Sequence, residues 1–253
     1  IVTLSKYVSD CMDKEGKFRG LGYIIKTTMY CAVPTVLVMM QPDFGTAFVF
    51  ICIMVFIYFI GRISWGYILT AAGGLAVCMP LAYYFVLSDS QRERIDVFIN
   101  PESDLQNSGY NVAQSKIAIG SGQLTGKGFF SEGTLAQLRF VPERHTDFIF
   151  AGIVEGLGFV GGTIIICLFF ALIFRWIYIA MRTKDSFGTC LVVGVAGMFT
   201  AHVFENIGMT IGLMPVTGIP LPFISYGGSN LLTNLIGVGI VENVWMRRQS
   251  KKR

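Results

Sequence analysis

Four ionisable side chains lie within five consecutive positions of this chain, immediately before a long apolar run. They are Glu143, Arg144, His145 and Asp147, and Phe148 begins the apolar run. The pattern places a carboxylate at the end of a membrane helix, where water, lipid headgroups and protein meet. Carboxylates and imidazoles are the side chains that most often transfer protons in enzymes. We therefore expect the chemistry of the protein to take place at this cluster.

A second set of polar side chains falls inside the apolar runs. An ionisable group in hydrocarbon costs free energy, so it faces a bundle interior or a cavity and is a functional candidate. Glu155 follows Asp147 by eight residues, which places it about 12 Å deeper along a helix. For Glu155 and Glu205 a functional role and a packing role stay equally open. For Asn206 and Asn234 we favour hydrogen bonds that fix helix packing.

The composition is that of a membrane protein. Of the 253 residues, 53% are hydrophobic and 14% are charged, with a mean hydropathy of +0.60; soluble domains average about 25% charged residues. Because a span needs about 20 apolar residues, we predict an all-α, polytopic transmembrane helix bundle. Its six predicted spans are Leu21–Met40, Thr46–Ile60, Gly66–Leu87, Phe148–Phe174, Gly188–Met214 and Leu231–Met246.

Basic residues predict the orientation of these spans, since cytoplasmic loops are enriched in Lys and Arg. The basic sets fall on one side of the membrane, together with the basic tail 247–253, so the C-terminus is predicted to be cytoplasmic. The long loop 88–147 and the Pro/Gly-rich loop 215–230 then face away from the cytoplasm. Residues 1–253 form a single transmembrane domain, and Ile1–Val8 is typical of the end of a further helix, which suggests missing N-terminal spans.

The net charge of +4 does not indicate nucleic acid binding. Basic residues lie at loop ends rather than among aromatic residues on one face, and a basic tail suits anionic lipid headgroups. In the long loop, Arg92 and Arg94 belong to a charged helical turn and Lys116 to a helix over 111–119. Arg92 and Arg94 are also explained by a solvated turn, and Lys116 by an ammonium that reaches the headgroups.

The loop 215–230, which contains Ser225, is apolar yet rich in helix breakers. Irregular backbone at membrane depth is tolerated where protein or a water-filled cavity satisfies it. We expect this loop to line the same cavity as the long loop, although a plain connection between two spans is the alternative. The histidines and cysteines lack the spacing of a structural zinc site.

Four segments in order along nearly the whole chain carry a family resemblance. They resemble the SEDS (shape, elongation, division and sporulation) proteins of bacteria, and most closely the RodA-like branch of that family. The segments are Gln41–Thr46, Gln114–Gly122, Pro142–Phe150 and Pro215–Ser229. The resemblance implies about ten spans of about 20 residues in a complete chain. It also implies a multi-pass protein of the bacterial cytoplasmic (inner) membrane.

The resemblance further implies a peptidoglycan glycosyltransferase that polymerises lipid II for cell-wall elongation and cell shape. The essential aspartate of the family corresponds to Asp147, expected to be the general base toward the acceptor sugar hydroxyl. The departing undecaprenyl pyrophosphate needs positive charge, and a divalent cation (Mg²⁺ or Mn²⁺) on Asp147 and the pyrophosphate is compatible with such sites. The other candidate binding residues are Arg92, Arg94, Lys116, Arg144, His145, Glu155 and Ser225.

The expected partners are lipid II, membrane lipids and a class B penicillin-binding protein, which would supply transpeptidation. The chain departs from the family pattern at two positions. A second glutamate usually follows the one at Glu155, but here the next residue is Gly156. The RodA-like branch commonly has Glu where this chain has Arg139. Two other functions compete: a lipid II flippase, and a non-enzymatic scaffold for the penicillin-binding protein. The requirement for Asp147 distinguishes the polymerase from the flippase and the scaffold, because only the polymerase needs it as a base.

Overall fold

The computed structural model describes residues 1–15, 21–41, 43–85, 89–100, 108–128 and 145–247. Every regular element within these ranges is an α-helix, and no β-strand occurs among them. The all-α class predicted from the composition is therefore confirmed. The basic residues at 248–253 and the loop residues at 101–107 and 129–144 lie outside the described part of the chain.

The described residues form nine helices, six of which correspond to the predicted spans. In chain order they are α1 (Val2–Glu15), α2 (Leu21–Met39), α3 (Phe44–Ile60), α4 (Trp65–Phe85), α5 (Asp89–Ile99), α6 (Ser108–Ser121), α7 (Ile149–Arg182), α8 (Ser186–Thr210) and α9 (Gly228–Arg247).

Three of these helices are long and apolar enough to cross a membrane: α2 over Gly22–Met39, α7 and α8. The helix α3 is apolar but shorter, with 17 residues. On α7, Phe159, Leu168 and Phe174 are each more than 60% exposed, as expected of side chains that face lipid. The chain is a multi-pass membrane protein.

The two largest differences from the predicted spans are at the C-terminal ends of α7 and α8, and both have identifiable reasons. The helix α7 continues past Phe174 to Arg182, because a helix can extend beyond the apolar run that crosses the bilayer. There the Arg175 guanidinium stacks on the Trp245 ring, 4.9 Å from its centre, a favourable contact for an arginine. The helix α8 ends at Thr210 rather than Met214, and Gly212 then adopts a φ of 75°, a conformation that glycine accepts readily.

The chain divides into two compact units. The first comprises Ile1–Arg92, Phe174–Phe199 and Ile236–Arg253; the second comprises Glu93–Ile173 and Thr200–Leu235. In the first unit, an edge-to-face contact between Trp176 and Phe199, with ring centres 4.7 Å apart, joins α7 to α8. The second unit contains the residues that precede α7 and the Pro/Gly-rich loop.

The second unit has its own hydrophobic core. Phe150, Val154 and Phe169 of α7 pack with Leu221 of the Pro/Gly-rich loop, and each is less than 9% exposed. In a membrane, close van der Waals packing of such side chains is what stabilises contacts between helices. This core fixes the beginning of α7 against the loop that follows α8, and so brings together residues distant in sequence.

The helix α7 is broken at Gly158, whose φ of 72° and ψ of −173° are not helical. Segment 122–128, which follows α6, lies against this break. Gly126 meets Gly156 and Gly158 backbone to backbone, so closely that a Cβ atom on Gly126 or on Gly158 would overlap main-chain atoms. Glycine is therefore required at both contacts.

Backbone hydrogen bonds join segment 122–128 to α7 on both sides of the break. On one side, the Lys127 and Gly128 amides donate to the Glu155 and Gly156 carbonyls at 3.0 and 2.9 Å. On the other side, the Phe159 and Val160 amides donate to carbonyls of segment 122–128 at 2.8 and 3.2 Å. These hydrogen bonds replace the helical ones that the break removes. Without them, the break would leave backbone N–H and C=O groups of a membrane helix unsatisfied.

Candidate active site

Asp147 is half-buried and lies just before α7, which begins at Ile149. Three donors hold the main chain at this point, one for each consecutive carbonyl. The Tyr226 amide donates to His145 O at 2.9 Å, and the Ser225 hydroxyl donates to Thr146 O at 2.6 Å. The Asn206 side-chain amide donates to Asp147 O at 2.8 Å. The backbone that carries the Asp147 carboxylate is thus fixed at three successive positions.

Two of these donors also bind the Pro/Gly-rich loop itself. Asn206 Nδ2 donates a second hydrogen bond, to Ile219 O at 2.8 Å, and Ser225 Oγ accepts one from the Leu221 amide at 2.8 Å. Both side chains are buried. They therefore tie the loop, the end of segment 145–147 and α8 into one hydrogen-bonded assembly. The expectation that the loop lies beside the Asp147 region agrees with these contacts.

The Asp147 carboxylate lies against the backbone of the same loop. A Cβ atom on Gly218 would be 3.5 Å from Asp147 Oδ2, which is ordinary van der Waals contact, and Gly218 has a φ of 75°. Next to Gly218, the Thr217 hydroxyl donates to Glu205 Oε2 at 3.3 Å. Glu205 is fully buried, so this hydrogen bond helps to offset the cost of burying its polar group.

Glu155 lies deeper along α7 and is 1% exposed. The Ser121 hydroxyl donates to its Oε1 at 3.3 Å, and Lys127 Nζ lies 3.6 Å from the same oxygen. A buried carboxylate needs both hydrogen bonds and an opposite charge, and segment 121–128 supplies them. Glu155 therefore serves the contact between that segment and the break in α7.

The helix α6 packs beside the Asp147 region. Val112 of α6 contacts Phe148, the residue after Asp147, together with Val216 of the Pro/Gly-rich loop. Ser115, which is fully buried, donates to Thr210 O at the end of α8 at 2.8 Å. The predicted helix over 111–119 is present within α6. It packs against Phe148 and Val216, and it is hydrogen-bonded to the end of α8.

Lys116 lies on the same helix, one turn after Val112. Its ammonium group contacts Gly212, just after the C-terminus of α8. A cation is favourable there because the last carbonyls of a helix carry partial negative charge. Lys116 is exposed, so its charge is accessible near the Asp147 region. Both this helix-end contact and the predicted contact with a pyrophosphate fit the position.

Of the other predicted cations, the structure describes the side chains of Arg92 and His145. Arg92 belongs to the first unit, where its Nη2 donates to Tyr84 O at 2.9 Å. The side chain of Arg94 and all of Arg144 lie outside the described part of the chain. His145 is exposed, and its carbonyl accepts from the Tyr226 amide. Their roles stay predictions.

Sequence reasoning missed the importance of Asn206, which it assigned to helix packing, and did not single out Lys127 or Gly218. The signal for Asn206 was present, because a buried amide must find hydrogen-bond partners. Its partners could not be named, since Asp147 is 59 positions away along the chain. Within the described residues, no three His, Cys, Asp or Glu side chains form a group that could hold a metal ion. The predicted divalent cation stays a prediction.

Comparison with protein-family models decides the family. The model for FtsW, RodA and SpoVE, described as a cell cycle protein family, matches residues 1–250. The chain belongs to the FtsW/RodA/SpoVE family. The resemblance that the four sequence segments carry is thereby confirmed, and with it membership of a family of integral membrane proteins.

Curated relatives of this family member include enzymes named for glycosyl transfer. The chain is 44% identical over 217 residues to "Peptidoglycan glycosyltransferase MrdB" of Escherichia coli K12, which covers 86% of this chain and 58% of the relative. It is 38% identical over 256 residues to "Stage V sporulation protein E" of Bacillus subtilis, with 96% and 65% covered. The chain thus spans less than two thirds of the length of these relatives.

Solved structures share the fold of this family member. One, described as "Structural coordination of polymerization and crosslinking by a peptidoglycan synthase complex", matches with a TM-score of 0.76 at 28% identity, over 98% of this chain and 67% of that chain. The crystal structure of the rod shape determining protein RodA of Thermus thermophilus matches with a TM-score of 0.64 at 25% identity, over 98% and 64%.

Proposed function

We propose that this protein is a peptidoglycan glycosyltransferase that polymerises lipid II into glycan strands for cell-wall elongation and cell shape. The observation that carries the proposal is the fixed position of Asp147 before a membrane helix, with each of three successive carbonyls bound by a donor. A base must be held within hydrogen-bond reach of the hydroxyl that it deprotonates. The name of the relative MrdB supports the same reaction.

In the proposed reaction, Asp147 accepts the proton of the 4-hydroxyl group on the acceptor GlcNAc. The acceptor oxygen forms a bond to the anomeric carbon of the donor MurNAc, as the bond from that carbon to the pyrophosphate oxygen breaks. The linkage changes from α to β. Undecaprenyl pyrophosphate leaves with the bonding electrons, and the proton stays on Asp147 until water removes it.

The leaving pyrophosphate gains negative charge, so cations that contact it accelerate the step. Lys116 is the best supported of the predicted cations, because α6 packs against Phe148 and its ammonium is accessible. Arg92, Arg94, Arg144 and His145 are further candidates. A Mg²⁺ or Mn²⁺ ion held by Asp147 and pyrophosphate oxygens would supply more charge, since Mg²⁺ commonly binds one or two carboxylates plus phosphates.

The proposed setting is the bacterial cytoplasmic membrane, with loops 88–147 and 215–230 on the outer face and the C-terminus in the cytoplasm. A class B penicillin-binding protein is the proposed partner, because glycan strands also need crosslinking. The similar structure described as a peptidoglycan synthase complex, which couples polymerization and crosslinking, supports this pairing.

The test compares the purified full-length protein, with its penicillin-binding partner, against the Asp147→Asn variant. Labelled lipid II is supplied, and the glycan strands are separated by size. We expect strands from the wild type and a rate of strand formation about 100-fold to 10,000-fold lower from Asp147→Asn, since the amide cannot accept the proton. The control Asp10→Asn changes an exposed carboxylate of α1 and should leave polymerisation unchanged.

Full polymerisation by Asp147→Asn would overturn the role of Asp147 as the general base. Two other outcomes would overturn the glycosyltransferase activity itself. If neither protein polymerises lipid II, movement of labelled lipid II across vesicle membranes would identify a flippase. Absence of both activities, together with stable binding of the penicillin-binding protein, would identify a scaffold.

A further inference from the structure

We propose that Asn206 is a positioning residue that sets the location of the Asp147 carboxylate during proton transfer. This inference rests on the proposed function, and it adds a residue of α8 to the catalytic arrangement. Asn206 is fully buried. Its side-chain nitrogen donates to Asp147 O and to Ile219 O, both at 2.8 Å.

The chemistry of the amide group explains why asparagine suits this position. One side-chain nitrogen carries two N–H donors, and both are used on main-chain carbonyls. Aspartate, when ionised, has no donor, and leucine has none at any pH. The two carbonyls belong to segments separated in sequence by α7 and α8, so the amide links them at a fixed spacing.

The two linked segments are the one that carries the Asp147 carboxylate and the one that this carboxylate approaches. One bond holds Asp147 itself, and the other holds Ile219, the residue after Gly218. Asp147 Oδ2 lies against Gly218, at 3.5 Å from the position of a Cβ atom there. Asn206 therefore determines how the carboxylate lies between its own backbone and the loop.

The neighbouring donors make the expected effect specific. Ser225 and the Tyr226 amide hold Thr146 O and His145 O independently of Asn206. Loss of Asn206 should therefore release the Asp147 and Ile219 carbonyls, while Ser225 and the Tyr226 amide still hold the two residues before Asp147. The position of a base matters in the transition state more than in substrate binding, so kcat should fall and KM should change little.

The experiment measures kcat and KM for lipid II polymerisation by the full-length protein with its penicillin-binding partner. Asn206→Leu keeps the branched shape and the number of side-chain heavy atoms, with larger methyl groups, and removes both donors. We expect kcat to fall by about 100-fold, the loss that a displacement of about 1 Å produces at a reacting group, with KM within about threefold of wild type. The matched control Asn234→Leu changes another buried asparagine, which bonds Asn230 one turn away, and should keep kcat.

A double variant separates positioning from a general structural role. If Asn206 acts through Asp147, Asn206→Leu should cause no further loss of kcat in an Asp147→Asn background, because effects of residues that act as a unit are not additive. An additive loss would overturn the inference. A wild-type kcat in Asn206→Leu would also overturn it.

Two safeguards keep the test decisive. If Asn206→Leu does not fold, Ser225→Ala removes the adjacent donor to Thr146 O with a smaller change in volume; its kcat should fall and its KM should not, and an unchanged kcat counts against positioning by this set of donors. Failure of the proposed function is recognised separately, because the wild type would then form no strands. Failure of Asp147 as the base is recognised because Asp147→Asn would retain polymerisation whatever Asn206→Leu does.

Discussion

Lys127 Nζ lies 3.6 Å from Glu155 Oε1, and the Glu155 side chain is 1% exposed while that of Lys127 is 40% exposed. The ion pair joins the segment that follows α6 to the helix that follows Asp147. Because one partner is buried and the other reaches solvent, the pair compensates a buried charge without burying a second one. Removal of Lys127 would leave the buried Glu155 carboxylate without this opposite charge, and the loss of stability would measure what the contact contributes.

Lys127→Met should destabilise the full-length protein by about 2 kcal/mol, less than the 3–5 typical when a fully buried pair is broken, because Lys127 is partly exposed. Thermal unfolding in detergent measures the change. In Lys127→Met with Glu155→Gln, the buried charge is gone and much of the stability should return. Lys6→Met, at the exposed Lys6–Asp10 pair, is the control. Equal melting temperatures for Lys127→Met and wild type would contradict the expectation.

Gly158→Ala should destabilise the protein, because a Cβ there overlaps main-chain atoms of Leu124 and Gly126 and the φ is 72°. With a ψ of −173° as well, this backbone conformation is adopted almost only by glycine and costs another residue about 1–3 kcal/mol, and the overlap adds to this. Gly152→Ala is the matched control on the same helix, where a Cβ meets no atom within 4 Å. Unfolding of both variants at the same temperature would show that the contact is unimportant.

Lys116→Met should lower kcat for polymerisation by about 100-fold, the lower end of the loss when one group that stabilises developing charge is removed. Lys116→Arg keeps the charge and should lose far less. A helix-end role predicts a different result: a loss of about 0.3–1 kcal/mol in stability with kcat unchanged. Measurement of kcat beside the melting temperature in both variants distinguishes the two roles.

Removal of divalent cations should lower the rate of polymerisation. A chelator takes away the ion proposed to bridge Asp147 and the pyrophosphate, and added Mg²⁺ or Mn²⁺ should restore the rate, since such ions neutralise charge on leaving phosphates. The measurement is strand formation before and after addition of each ion. If the chelator does not change the rate, the divalent cation is not needed, and the side-chain cations alone would stabilise the leaving pyrophosphate.

The sequence predicts the helices well because membrane spans follow from local hydropathy. The prediction for Leu21–Met40 differs by one residue from α2, which ends at Met39. It fails at the end of α7, where Arg175 ends the apolar run although the helix continues to Arg182. Hydropathy reports where a chain meets lipid, and backbone hydrogen bonding decides where a helix ends.

The candidate site was predictable only in part. Asp147 and the loop that contains Ser225 follow from local polarity and helix breakers. The hydrogen bond from Ser225 to Thr146 O joins residues 79 positions apart, and no local pattern indicates such a partner. Lys127 was missed for the same reason. It meets Glu155 because segment 122–128 lies against the break in α7, and no local pattern indicates that contact.

The break in α7 has a consequence for assembly of the protein in the membrane. Amides and carbonyls at Glu155, Gly156, Phe159 and Val160 find their partners in segment 122–128. That segment is synthesised before α7, so its partners already exist when the helix enters the bilayer. The two halves of α7 therefore complete their hydrogen bonding only when this earlier segment docks against them.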